Sequence, residues 1–251
     1  MACPCKDNTR IALELIEIIQ HDNETYSFDF NNHMNLKWKE GDSSKVYLNI
    51  NESSIGKKFS FATTKEENRI RFTTRIRKDS SDYKKAMENL KIGDTIEISK
   101  PSGEFHLIRE ERAILILSNG VGIAAARSLI SAYKHDSTSI PLLASINVNN
   151  SGELYHQELT EYEKEIKYLN IQYVDNRKSY YQSIDDVFQN LMTYLSDDPI
   201  IYVVGSREFV NDSINHLINI GMGYGDIITD SHFESGGCGC SGGSSCGCGG
   251  K

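Results

Sequence analysis

Cysteine is absent from the whole central part of this 251-residue sequence. The six cysteines stand at its two ends: Cys3, Cys5, Cys238, Cys240, Cys246 and Cys248. Free cysteine is normally among the most buried residue types, so core packing does not explain this placement. In a reducing compartment, such residues are thiols or metal ligands rather than structural disulfides.

A long hydrophobic run is also missing. The longest apolar stretch, residues 11–19, is interrupted by Glu14 and Glu17 and is too short to cross a bilayer. The first seven residues lack the apolar core of a secretory signal. We therefore expect a cytoplasmic protein without membrane insertion.

Positive charge is scarce, because 27 Lys and Arg stand against 35 Asp and Glu, for a net charge of −8. This balance argues against nucleic-acid binding. Residues 57–91 are an exception, with eleven basic residues against five acidic ones. Such a basic window indicates an anionic ligand, for example a diphosphate, or an acidic partner. A solvated charged face is the other interpretation.

The first part of the chain has the period-two hydrophobic pattern of strands. Strands are predicted within residues 10–50 and at 59–64, 70–76 and 95–98, with a short helix at 80–90. Six or so short strands with one helix predict an antiparallel β-barrel, which we place at residues 6–109.

Strands alternate with helices after Glu111, which predicts a parallel doubly wound sheet for residues 110–235. The strands are expected at 113–117, 140–147, 171–174, 200–204 and 227–228, and the helices at 122–133, 153–168, 184–195 and 207–220. Residues 236–251 are nearly all Gly, Ser and Cys and are predicted to form a flexible tail.

Two stretches carry candidate chemistry. Residues 56–64 combine basic residues, an aromatic, hydroxyls and a small residue. Residues 118–123, Ser-Asn-Gly-Val-Gly-Ile, join an apolar strand to a helix, where glycines and unpaired N–H groups suit a phosphate. The third glycine of the dinucleotide fingerprint is replaced by Ala125, so this turn alone leaves nucleotide binding open.

The order of the motifs resembles that of the ferredoxin–NADP reductase superfamily, across about residues 10–234. Lys57-x-Phe59-Ser60 matches the Arg-x-Tyr/Phe-Ser/Thr flavin motif of that family. Residues 72–77 with 81–86 look like its next flavin-binding strand and helix. Residues 119–123 look like its Gly-Gly-x-Gly-Ile turn, and residues 204–206 like its Cys-Gly-Pro.

The resemblance implies an antiparallel β-barrel flavin domain followed by an α/β doubly wound nucleotide-binding domain, with FAD and NAD(P)H as cofactors. It implies that Lys57 pairs with the flavin diphosphate, that Phe59 stacks on the isoalloxazine, and that Ser60, the catalytic residue, stands near flavin N5. The other cofactor-binding residues that it implies are Phe61, Ala62, Thr63, Arg75, Lys84, Gly120, Gly122, Asn147, Gly205 and Phe209.

The implied function is an enzyme that passes hydride from NAD(P)H to FAD and electrons on to ferredoxin, flavodoxin or another redox protein. The alternative is a non-catalytic regulatory or metal-handling protein that uses the same fold to bind flavin or nucleotide. The two interpretations differ in whether a reduced nicotinamide bleaches the flavin.

Several residues depart from the family pattern. Lys57 keeps the charge of the usual arginine but loses its bidentate fork. Val148 stands where relatives often carry a basic residue, which favours NADH unless Arg177 or Lys178, expected on the next loop, binds a 2′-phosphate. The remaining departures are Ala125, Val204 and Ser206, which replace a proline, a cysteine and a proline.

The tail carries two Cys-x-Cys pairs, Cys238 with Cys240 and Cys246 with Cys248. Such pairs can hold Cu(I), Zn²⁺ or an iron–sulfur cluster. Their spacing matches none of the tight zinc templates, and incidental thiols are the other interpretation. The histidines form no ligand-spaced cluster and are taken as structural or surface residues; examples are His106, His156 and His216.

Overall fold

The computed structural model describes residues 9–149, 152, 154–194 and 197–230. An antiparallel sheet forms first, in the order β4-β3-β6-β1-β2-β5. Its elements are β1 (Arg10–Gln20), β2 (Thr25–Asn31), β3 (Ser43–Ile50), β4 (Ser53–Ser60), β5 (Arg69–Arg75), α1 (Asp82–Glu88) and β6 (Thr95–Ser99).

The antiparallel sheet curls into a half-barrel around an apolar core. Along β1, Leu13 and Leu15 are buried while Glu14 is exposed, as the period-two pattern predicts. Just beyond β4, the backbone N–H of Ala62 donates to the carbonyl of Arg71 on β5 at 3.0 Å, which brings the two outer strands together.

A five-stranded parallel sheet follows, in the order β11-β10-β7-β8-β9. Its strands are β7 (Ile114–Asn119), β8 (Leu143–Val148), β9 (Leu169–Val174), β10 (Ile200–Val204) and β11 (Ile227–Thr229), and its helices are α2 (Ile123–His135), α3 (His156–Glu165), α4 (Arg177–Tyr194) and α5 (Arg207–Asn219). The predicted two-part fold, an antiparallel sheet followed by a parallel α/β unit, is confirmed.

Two predicted elements were misplaced. The strand expected at 59–64 is instead β4, which ends at Ser60; beyond it, the backbone N–H of Thr64 donates to Glu67 Oε1 at 2.9 Å at the start of a short 3₁₀ turn. Helix α4 begins at Arg177 rather than at residue 184, because the side chain of Asn176 accepts from the N–H of Ser179 at 2.9 Å.

The half-barrel and the α/β unit share one apolar cluster. Ala62, Phe105 and Leu107 from the first part are buried with Ile116 and Ile123 from the second. None of the helices in the described residues is long and apolar enough to cross a membrane.

Candidate functional site

A cavity of about 620 Å³ lies between the half-barrel and the C-terminal ends of β7 and β10. Parallel α/β sheets place ligand sites outside the carboxyl ends of their strands, so this position follows from the topology. The structure brings eight of the residues implied by the resemblance to its lining: Lys57, Phe59, Ser60, Arg75, Lys84, Gly120, Gly122 and Gly205.

Four cationic side chains line the cavity: Lys57 and Lys58 on β4, Arg75 at the end of β5, and Lys84 on α1. Burial lowers the pKa of Lys84, and the nearby positive charges of Arg77 and Arg75 lower it further. Like charges gathered in one partly desolvated space are costly without an anion, so the lining fits a phosphate-bearing ligand.

Arg75 connects the half-barrel to the parallel sheet. Its Nη2 donates to Asn149 Oδ1, just after β8, at 3.1 Å. Its Nε is buried, and no group within the described part of the chain accepts from it. A buried donor without an acceptor is costly, and an anionic ligand in the cavity would supply one.

Phe59 forms an aromatic wall of the cavity. Its ring stacks on Tyr83 with 6.2 Å between the centroids, and it packs against Phe72 at 5.9 Å. Tyr83 is fixed in turn, because its phenol donates to the carbonyl of Val46 at 2.7 Å. The ring of Phe59 is thereby held rigidly on one side, as a stacking platform requires.

Ser60 is paired with an acid that the sequence analysis missed. Its Oγ donates to Asp230 Oδ2 at 2.8 Å, and both residues line the cavity. Asp230 follows β11 directly and is 4% exposed. An acidic residue just after a strand of the parallel sheet was the available signal in the sequence.

The glycine turn after β7 brings two strand ends close together. Gly120 has φ +53°, a conformation that favours glycine. A Cβ on Gly122 would stand 2.7 Å from the carbonyl oxygen of Val204 at the end of β10. The turn therefore needs glycine at both positions, and it leaves backbone exposed to the cavity beside the start of α2.

Five of the residues implied for cofactor binding lie away from the cavity lining: Phe61, Ala62, Thr63, Asn147 and Phe209. Because β4 ends at Ser60, the next side chains turn into the core, where Phe61 stacks on Trp38 with 5.4 Å between the ring centroids. The carbonyl of Thr63 accepts from Trp38 Nε1 at 2.8 Å. Phe61 supports the aromatic wall from behind, because its ring packs against Phe72 with 5.3 Å between the centroids. Any role for the five residues in holding a cofactor stays a prediction.

The sequence analysis also missed Arg127, a charged residue only 1% exposed on α2. Its Nη1 donates to the carbonyl of Ala62 at 2.5 Å, and its guanidinium pairs with Glu67 at 2.8 Å and with Glu158. Arg127 thus connects the helix that follows the glycine turn to the chain segment that follows Ser60.

A second cavity of about 420 Å³ lies at the ends of β8 and β9, lined by Asn149, Tyr173, Val174, Asp175 and Ser179. Arg177, expected on a loop as a 2′-phosphate clamp, stands instead in the first turn of α4. Its guanidinium donates to Asp212 at 2.9 Å and to Glu208 at 2.7 Å. The expected loop position of Arg177 is therefore wrong, whereas its role as a 2′-phosphate clamp stays a prediction.

Metal ligation was predicted only for the tail. In the described ranges, no group of three or more His, Cys, Asp or Glu side chains could hold a metal ion. The four tail cysteines, Cys238, Cys240, Cys246 and Cys248, lie outside the described residues. His106 and His216 each bond a carboxylate, Asp42 at 2.9 Å and Asp185 at 2.8 Å.

Known flavoproteins and reductases resemble this chain in sequence and in fold. Residues 10–107 match the oxidoreductase FAD-binding domain family. The chain is 26% identical over 178 residues to a flavohemoprotein from Candida albicans, covering 66% of this chain and 44% of that protein. It is 26% identical over 153 residues to NADH-cytochrome b5 reductase 1 of Dictyostelium discoideum, covering 57% and 53%.

A solved structure resembles most of this chain in fold. A ferredoxin NADP+ reductase from Neisseria gonorrhoeae with bound FAD and NADP has a TM-score of 0.75, at 14% identity, over 88% of this chain and 97% of that chain. The resemblance inferred from the motifs is thus confirmed in the FAD-binding domain and in the fold. The chain spans about half the length, or less, of the curated relatives that it matches.

Proposed function

Because residues 10–107 match the oxidoreductase FAD-binding domain, we propose that this protein is an NAD(P)H-dependent flavoprotein oxidoreductase. The observation that carries the proposal is the composition of one cavity. Four cations, a fixed aromatic ring, a hydroxyl paired with a carboxylate, and a glycine turn meet in about 620 Å³. This set suits a flavin with a diphosphate beside a reduced nicotinamide.

The residues of the half-barrel fit FAD. Lys57, Lys58 and Arg75 supply positive charge for the diphosphate, and the buried Nε of Arg75 needs an acceptor of that kind. Phe59 offers a face for the isoalloxazine. When bound, FAD accepts a hydride and releases electrons to an acceptor, while the protein supplies orientation and electrostatics.

Ser60 and Asp230 act as a pair in this proposal. The carboxylate of Asp230 accepts a hydrogen bond from the hydroxyl of Ser60. This bond fixes the direction of the lone pairs on Ser60 Oγ. The pair lies at 2.8 Å with Asp230 buried, so its geometry is set before a ligand enters. Ser60 then holds or yields a proton at its Oγ beside the flavin.

The nicotinamide nucleotide enters from the parallel sheet. The backbone of Gly120–Gly122 and the start of α2 suit its diphosphate. The second cavity carries Asp175, a carboxylate that can accept from a ribose 2′-hydroxyl and repels a 2′-phosphate. We propose NADH as the better donor.

The acceptor is a redox protein such as ferredoxin, flavodoxin or a haem protein. Exposed lysines at the cavity, Lys57 and Lys58, lie in the window of residues 57–91, where eleven basic residues stand against five acidic ones. Complementary charge guides encounters between proteins, so an acceptor with an acidic face is favoured.

A visible spectrum of the purified full chain tests the proposal. The expected result is a yellow protein that NADH bleaches under anaerobic conditions and that reduces ferricyanide with turnover. A yellow protein that neither NADH nor NADPH bleaches would instead support the non-catalytic alternative. A protein that binds no flavin from added FAD would contradict the proposal and would leave a non-catalytic role in nucleotide binding or metal handling.

A further inference from the structure

Three polar side chains form a hydrogen-bonded chain from the protein surface to the cavity. His21 Nε2 lies 2.7 Å from Ser27 Oγ, and Ser27 Oγ lies 2.7 Å from Thr73 Oγ1. Ser27 on β2 and Thr73 on β5 are direct cross-strand partners in the half-barrel. Thr73 lines the 620 Å³ cavity, whereas the imidazole of His21 is partly exposed.

The hydrogen-bonded chain of side chains is shielded from water between His21 and the cavity. Ser27 is 0% exposed and Thr73 is 8% exposed. Tyr155, reaching across from the α/β unit, covers both, with its phenolic oxygen 2.5 Å from Thr73 Oγ1 and 3.2 Å from Ser27 Oγ. The ring of Tyr155 also meets His21 edge-on, with 5.3 Å between the centroids.

Every member of this chain can both give and accept a proton. A hydroxyl carries one donor and two acceptor lone pairs, and a neutral imidazole has one donor and one acceptor nitrogen. Here the bonds are continuous from the surface to the cavity lining.

We propose that His21, Ser27 and Thr73 form a proton path between solvent and the cavity; this rests on the proposed flavin reductase function. A dihydronicotinamide delivers two electrons and one proton as hydride. One further proton from solvent then gives the neutral two-electron-reduced flavin. Both protons leave when two electrons pass, one at a time, to a redox-protein acceptor, so protons must enter and leave the cavity in each turnover.

The surroundings of His21 keep the ring suited to this transfer. Burial lowers the pKa of His21, and the charge of Arg71 lowers it further, while Asp22, Asp29 and Glu158 oppose the shift. The imidazole is therefore mostly neutral at pH 7, with one nitrogen able to accept while the other donates. Protonation below the lowered pKa would block the accepting nitrogen.

The test follows proton uptake separately from flavin bleaching. The full chain loaded with FAD is mixed anaerobically with NADH in weak buffer with a pH-indicator dye, in a stopped-flow spectrometer. In His21→Ala and Ser27→Ala, proton uptake is expected to slow by at least about tenfold relative to bleaching, since positioned proton-transfer groups contribute roughly 10²-fold or more. Added imidazole should restore the wild-type solvent deuterium isotope effect in His21→Ala but not in Ser27→Ala; the isotope effect replaces the dye in this arm because imidazole itself buffers near neutral pH.

Two variants serve as matched controls. His216→Ala removes a surface histidine that bonds Asp185, and Ser213→Ala removes a fully buried hydroxyl that bonds Tyr180. Both should take up the proton as fast as the wild type. FAD content and the unfolding midpoint of each variant show whether the fold is intact, and the solvent deuterium isotope effect reports the proton step directly.

The results of these measurements distinguish failure of the proton path from failure of the proposed flavin reductase function. If the wild type is not bleached by either nicotinamide, the flavin reductase function fails, and the path falls with it. If the wild type is bleached without proton uptake at pH 6 to 8, the path is wrong although the function stands. If His21→Ala and Ser27→Ala match the controls in uptake rate and isotope effect, the hydrogen bonds are only structural.

Discussion

The guanidinium of Arg127 on α2 donates to the backbone carbonyl of Ala62, two residues beyond Ser60, at 2.5 Å. The same guanidinium holds Glu67 from the half-barrel and Glu158 from α3. Arg127 therefore connects the helix that follows the glycine turn to the chain segment that follows Ser60, in addition to the apolar cluster that the two parts share. Its removal would leave two carboxylates near each other with little solvent.

Arg127→Met is expected to lower the free energy of unfolding by about 3–5 kcal/mol, because it leaves the partners of a buried ion pair uncompensated. Urea unfolding of the holoprotein measures the change. The matched control is Arg177→Met, an exposed arginine that also contacts two carboxylates, for which a loss of about 0–1 kcal/mol is expected. Equal losses of unfolding free energy in the two variants would show that the buried ion pairs of Arg127 stabilise the fold no more than the exposed ones of Arg177.

Glu158 should make part of this stability depend on pH. Burial raises its pKa, but the hydrogen bond and charge of Arg127 lower it more, so the folded pKa lies below the ordinary 4.5. Its contribution is therefore present above about pH 4.5 and is lost as the pH falls through the folded pKa. The stability difference between wild type and Glu158→Gln should narrow between about pH 5 and pH 3. If urea unfolding shows the same stability difference at every pH in this range, ionisation of Glu158 does not contribute to stability in this way.

Lys57→Glu is expected to weaken FAD binding by roughly 10- to 100-fold, since a charge-assisted hydrogen bond contributes about 1.5–3 kcal/mol. Flavin absorbance after gel filtration, and titration of the apoprotein with FAD, measure the loss. Lys45→Glu is the control, because it makes the same charge change on the neighbouring strand at an exposed residue outside the cavity lining. Full flavin occupancy in Lys57→Glu would show that another cation holds the diphosphate.

Sequence analysis correctly predicted cavity-lining residues where their position follows from the local pattern of strands and turns. Lys57, Phe59 and Ser60 end a strand, and Gly120 and Gly122 begin the turn after another, so the topology alone brings them to one cavity. Phe61, Ala62 and Thr63 were grouped with them by adjacency. The structure separates them because β4 ends at Ser60 and the chain turns into the core.

Residues whose role depends on distant partners could not be predicted. In the run Ala-Ala-Ala-Arg-Ser-Leu, Arg127 has the pattern of a helix surface residue, and its burial depends on Glu67 and Glu158, 60 and 31 positions away. Tyr155 reaches Thr73 across 82 positions. Such long-range contacts leave no periodic signal in one sequence.

Asp175 should decide between the two nicotinamide donors. The wild type is expected to use NADH at least as well as NADPH, because a carboxylate in the second cavity repels a 2′-phosphate and Arg177 is held by two acids. Asp175→Asn should raise kcat/KM for NADPH by about tenfold with little change for NADH, because the amide oxygen of asparagine still accepts from a ribose 2′-hydroxyl. Asp186→Asn, on α4 and outside the lining of the second cavity, should change neither. A wild type that strongly prefers NADPH would place the 2′-phosphate elsewhere, with Lys178 as the next candidate.

The cysteine tail begins only a few residues after a residue that lines the cavity. Asp230 lines the cavity and is the last described residue, and Cys238 follows eight positions later, within about 28 Å even at full extension. Thiols or a metal that they bind could thus relay electrons or restrict which acceptors approach. Deleting residues 236–251 is expected to leave FAD binding, bleaching by NADH and ferricyanide reduction unchanged, but to change the rate with a protein acceptor.

A full-length variant with all four tail cysteines changed to serine separates the thiols from the chain itself. If the thiols act in electron delivery, this variant should behave like the deletion with a protein acceptor, such as a ferredoxin or a cytochrome. If it behaves like the wild type while the deletion does not, the tail acts sterically. If both variants serve every acceptor at the wild-type rate, and the intact chain binds no Zn²⁺ or Cu(I) under reducing conditions, the cysteines have no part in this chemistry.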